Sequence, residues 1–94
     1  MQLSQETAET TALQALGWLA GNEELLPVFL GTTGASVGDL RQQAMDPDFL
    51  GAVLDFIMMD DAWVMECAGA INVAPERIVQ ARQSLPGGAQ INWT

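Results

Sequence analysis

The sharpest polar feature of the chain is the pair Asp60-Asp61. Adjacent carboxylates can hold a hard cation such as Mg²⁺ when further oxygen ligands join them. Asp55 before the pair and Glu66 after it are the acids within reach along the chain. Acidic metal motifs need a third carboxylate at fixed spacing, and none stands at such a spacing here. The plainer reading is a helix cap followed by a solvated turn, since Asp is a preferred N-cap residue. Cys67 could act as a nucleophile, but that chemistry needs a neighbouring base, normally His. The chain has no His and no Lys. The usual acyl-transfer constellations cannot be assembled without them. The run Gly31-Thr-Thr-Gly34-Ala-Ser36 has the small residues of a phosphate cradle at a helix start. It lacks the preceding strand and the lysine of a phosphate loop, and reads as a helix stop, a turn and a cap.

Four residues are candidates for contact with a partner. Arg77 and Arg82 form a basic pair near the end of the chain, suited to an acidic partner or to the domain's own acids. Ile91 and Trp93 lie in a polar tail, where an exposed Trp is a binding anchor and a docked one is structural. Met58, Met59 and Met65, with Trp63, suit an adaptable groove, although such a stripe at helical spacing reads first as core.

Composition limits what these residues can do. Three arginines face twelve acids, and the net charge is −9. A duplex-binding surface neutralises several phosphates with Lys and Arg, so nucleic acid is disfavoured, as is an anionic membrane. One cysteine permits no internal disulfide and no Cys-rich metal site. The first residues carry neither the basic nor the apolar part of a signal peptide, and no apolar run reaches the ~20 residues of a membrane span. These features point to the cytoplasm. No cofactor is expected.

The elements that must position these groups are helices. The 94 residues make a single domain, 49% apolar, with less regular ends at residues 1–5 and 89–94. Ala12, Ala15, Leu16, Leu19 and Ala20 share one face of a helix from Glu6 to Ala20, and Leu13 widens that face. Asn22 caps a short second helix, ended by Gly31, in which Pro27 removes a backbone donor just past the first turn, so that a late start or an opening 3₁₀ turn is expected. Ser36 and Asp39 form a capping box for a third helix through Leu40 and Ala44. Asp46-Pro47 opens the most apolar helix, to about Met59, carrying Leu50, Val53, Leu54 and Ile57. Val64, Cys67, Ala68 and Ile71 mark a fifth, closed by Asn72, and Ile78, Ala81 and Leu85 a sixth from Pro75. Leu85-Pro-Gly-Gly88 is a stop. Period-two alternation is missing, so the expected fold is all-α: a compact irregular bundle of five to six short helices.

Three blocks of residues resemble a known family. They are Thr11-Ala-Leu-Gln-Ala-Leu-Gly-Trp-Leu-Ala20 with Phe29-Leu-Gly-Thr-Thr-Gly34, Asp46-Pro-Asp-Phe-Leu50 through Met58-Met-Asp-Asp-Ala-Trp63, and Leu85-Pro-Gly-Gly88 through Asn92-Trp93-Thr94. Together they resemble the bacterial family DUF3572. The resemblance implies a bacterial cytoplasmic setting and a stand-alone domain, and carries no activity, cofactor or catalytic residue. The expected function is a non-enzymatic protein-interaction or regulatory module, with a protein partner. The alternative is a carboxylate-based metal or small-molecule site at Asp55, Asp60, Asp61 and Glu66. A homo-oligomer through the Met and Trp surface and an acidic mimic of DNA are further readings.

Overall fold

A computed structural model describes residues 4–85 of the chain. They form six helices, α1 (Gln5–Ala20), α2 (Leu25–Thr33), α3 (Val37–Gln43), α4 (Pro47–Ile57), α5 (Asp61–Ile71) and α6 (Pro75–Gln83). The described residues contain no strand, and the fold is all-α, as the spacing of apolar residues predicts.

Most helix ends sit where local chemistry puts them. The Ser4 hydroxyl accepts the Thr7 N–H at 3.1 Å and starts α1. Ser36 and Asp39 complete a reciprocal capping box at the start of α3. Asp46 accepts the Asp48 N–H at 3.0 Å across Pro47, the first residue of α4. Each cap satisfies backbone donors that the first turn leaves without partners. Asn72, with φ 65°, closes α5 in the left-handed conformation that Asn tolerates better than most residues.

The second helix starts late, as Pro27 leads one to expect, and departs from expectation at its end. Asn22 caps as predicted, accepting the N–H groups of Glu24 and Leu25 at 3.0 Å each. The regular helix starts only at Leu25, which puts Pro27 inside the first turn, where a missing donor costs least. Gly31 does not end the helix. The chain runs on to Thr33 and stops at Gly34, whose φ of 76° suits a residue without a Cβ. Tertiary packing explains the extension. Phe29 is fully buried, with its ring 5.3 Å from Phe56 and 5.9 Å from Phe49, edge to face in both cases. Phe56 in turn stacks on Trp63 at 5.0 Å. This chain of rings ties α2 to α4 and α5, and such pairs add about 0.5–1.5 kcal/mol each beyond the area they bury.

Helix α1 packs against α4, α5 and α6. Its buried face is Ala8, Thr11, Ala12, Ala15, Leu16 and Leu19. The face therefore begins a turn earlier than the alanine and leucine pattern predicts, while Leu13 and Ala20 lie exposed. Helix α4 buries Leu50, Gly51, Val53, Leu54, Phe56 and Ile57, and is central as its composition predicts. It stops at Ile57, leaving Met58 as its cap and Met59 in solvent. Helix α3 is held differently, with Leu40 its one buried residue.

The burial of Phe29 predicts a sharp contrast with its neighbour. Phe29→Ala should lower the unfolding free energy by about 3–5 kcal/mol, measured by chemical denaturation. Val28→Ala, at a half-exposed position on the same helix, should change it by less than about 0.5 kcal/mol.

Candidate functional site

The four acids proposed from the sequence as a site have separate occupations. Asp60 is the N-cap of α5, and its carboxylate accepts the Ala62 N–H at 2.8 Å. Asp61 is the first residue of that helix, where a negative charge meets the positive end of the dipole. Asp55 turns to the last helix instead. Its carboxylate accepts from the Arg82 Nε at 2.6 Å. Glu66 is exposed on α5. Among the described residues, no three Asp, Glu or Cys side chains come together to hold an ion.

Arg82 is thus bound into the fold. Its guanidinium lies along α4 over Gly51, where a Cβ would meet the terminal nitrogen at 3.0 Å. A glycine inside a helix is unfavourable by about 1 kcal/mol against alanine. Here it makes room for a side chain from α6. Gly51 in an otherwise apolar helix was the sequence signal for this contact, and periodicity alone passes over it. The pair itself is worth little, because exposed ion pairs contribute about 0–1 kcal/mol. Arg77 is half-buried on the same helix. Ile91 and Trp93, with the stop at Pro86-Gly-Gly, lie outside the described residues.

Cys67 faces the core and is fully buried. Burial pushes its thiol up to about 11 from the ordinary 9.0, so it is a protonated, inert thiol at neutral pH. The Gly31–Ser36 run divides between the end of α2, the Gly34 cap and the start of α3. The Asp39 carboxylate already accepts the Ser36 N–H there at 3.0 Å, and its charge opposes a phosphate. The methionine and tryptophan group also splits. Met58 and Trp63 pack on the core, whereas Met59 and Met65 are 71% and 61% exposed.

Two open grooves mark the surface of the described residues. One, of about 310 Å³, runs between α1 and α3, with Leu13, Leu16 and Ala20 on one side and Val37, Leu40 and Arg41 on the other. The second, of about 360 Å³, runs between α5 and α6, lined by Asp61, Val64, Met65, Pro75, Glu76 and Val79. Four of the exposed large apolar side chains, Leu13, Val37, Met65 and Val79, lie in these grooves. Of these, the sequence marks Met65 as suited to a groove, and spacing does not single out Leu13, Val37 or Val79 as surface features. Val79 sits beside Ile78 on α6 and Val37 opens α3, both off the buried faces.

The geometry defines a small all-α domain whose polar side chains stabilise helix ends, and four of whose exposed large apolar side chains line open grooves while Val28, Met45 and Met59 stand elsewhere. The chain belongs to the family described as "Protein of unknown function (DUF3572)", whose model matches residues 5–88. Comparison with curated proteins and with solved structures finds no match. Among the described residues, no helix is long and apolar enough to cross a membrane.

The positions of Asp55 and Asp60 make a clear prediction for divalent ions. Anything that binds the native state alone must raise its melting temperature. Millimolar Mg²⁺, Mn²⁺ or Ca²⁺ should leave the thermal melt unchanged at constant ionic strength. A rise with one ion, abolished by Asp60→Asn or Asp61→Asn, would restore the carboxylate site.

Proposed function

We propose that this domain works by binding another protein and does not catalyse a reaction. One observation carries the reading: large apolar side chains stand in water along two grooves. Val37 is 62% exposed and Met65 61% exposed in positions that line those grooves. Single apolar residues on a surface are ordinary, and here they stand in pairs across a groove, Leu13 with Val37 and Met65 with Val79. Covering them yields roughly 25 cal/mol for each Å² removed from water. The groups with intrinsic reactivity have other roles. Cys67 is buried and protonated, Asp60 caps a helix and Asp55 pairs with Arg82.

The charge of −9 narrows the partner. It speeds encounter with a basic surface and repels nucleic acid. A reducing compartment, the cytoplasm, suits a chain whose single cysteine can close no internal disulfide. Arg77, Ile91 and Trp93 belong to the same reading as further contact residues, and Arg82 does not, because it is engaged with Asp55.

The test is affinity purification of the tagged protein from its native host, beside a charge-matched acidic domain. The expected result is a near-stoichiometric protein absent from the control. It should be lost when both grooves are blocked by Val37→Glu with Val79→Glu, in a variant whose thermal melt is unchanged. Recovery of the tagged protein alone, or of the same proteins with the control, would contradict the reading.

A further inference from the structure

The two grooves differ in charge, and the difference identifies an occupant for one of them. The α5–α6 groove has an apolar lining of Val64, Met65, Pro75 and Val79. Two carboxylates border it, Asp61 and Glu76, and no cation lines it. Both acids sit in the first turn of their helices, so local helix structure holds them at the groove. The salt bridge of the described residues is elsewhere, between Asp55 and Arg82.

We infer that this groove binds a cationic amphipathic helix presented by another protein, an inference that rests on the interaction reading above. A trough between two helices accepts the ridge of side chains that a third helix offers at i, i+3, i+4 and i+7. Exposed Met65 adapts its shape to such a ridge. Charge selects among apolar helices. A neutral one would take water from Asp61 and Glu76 and return no partner, which is costly for a carboxylate. An acidic one is repelled, and so is a second copy of this chain, which carries −9. Lys or Arg flanking the apolar ridge meets both carboxylates at the groove margin and steers the encounter. The α1–α3 groove has the opposite character, since the charged residue lining it is Arg41. The volume, about 360 Å³ in an open trough, lies near the lower end of the roughly 300–1,000 Å³ of small-molecule sites. It suits a few side chains of a larger partner.

The probe is a fluorescein-labelled synthetic peptide of about 18 residues, five helical turns, with Leu at i, i+3, i+4 and i+7 and Lys elsewhere. Its control has the same composition in an order without an apolar face. Anisotropy titrations use the full chain at about 0.15 M salt, where long-range attraction is screened. The amphipathic peptide should bind at least about tenfold tighter than the control, a difference of about 1.4 kcal/mol. Met65→Gln with Val79→Gln removes apolar lining without changing charge, and should erase that preference. Asp61→Asn with Glu76→Gln should weaken binding and flatten its salt dependence. Leu13→Gln with Val37→Gln, in the other groove and equally without change of charge, should leave binding unchanged. Equal binding of both peptides, no binding, or loss through the α1–α3 variant alone would overturn the inference. A partner from the native host that is retained by the Met65 and Val79 variant would overturn it too, and would leave the interaction reading standing.

Discussion

The structure depends on the narrow, alanine-lined face of α1. Ala8, Ala12 and Ala15 are completely buried, and they stand where α1 meets α4, α5 and α6. Distances between packed helices follow the side chains at the contact, and small ones permit the closest approach. Three helices can therefore crowd the longest of the six, and Leu16 and Leu19 extend the contact toward its end. A chain of this size has one core and little surplus. That core is organised around α1, with the most apolar helix, α4, laid against it. What α1 does not hold is held by rings. Phe29 brings α2 onto Phe49 and Phe56, and α3 follows with only Leu40 inserted.

The same economy explains the placement of the polar groups. Six short helices expose many unpartnered backbone donors, and the chain answers with Ser4, Asn22, Ser36, Asp39, Asp46 and Asp60. Acids at helix N-termini are stabilising there, which lets a strongly negative chain fold with only three arginines. Carboxylates that look like a reactive cluster along the sequence become separate structural devices in space. The proposed interaction role therefore rests on the apolar side chains that no helix covers.

The fold class was legible because it rests on local relations. Caps such as Ser36 with Asp39, and Asp46 before Pro47, act within one turn, and apolar spacing at i, i+3 and i+4 needs no knowledge of the rest of the chain. The second helix shows where that ends. Gly31 reads as a stop, but the burial of Phe29 among rings from other segments carries the helix past it to Gly34. The end of α4 at Ile57, which leaves Met59 exposed, and the exposed Leu13 are likewise decided by which neighbours arrive. The candidate site was less legible for the same reason. Asp55 was grouped with Asp60 by proximity in sequence, while its partner Arg82 lies far along the chain. Of the grooves only Met65 is legible as a lining residue, since a groove belongs to two helices and spacing describes one.

The most direct test of this account is overpacking at the face of α1. Ala12→Leu and Ala15→Leu place a large side chain where α1 meets its neighbours. Ala20→Leu makes the same change on the same helix at an exposed position. Urea denaturation of the three variants should show a loss of about 1–3 kcal/mol or more for each buried alanine and less than about 0.5 kcal/mol for Ala20. Unchanged stability in Ala12→Leu and Ala15→Leu would mean that the helices do not converge on this face, and would contradict the account.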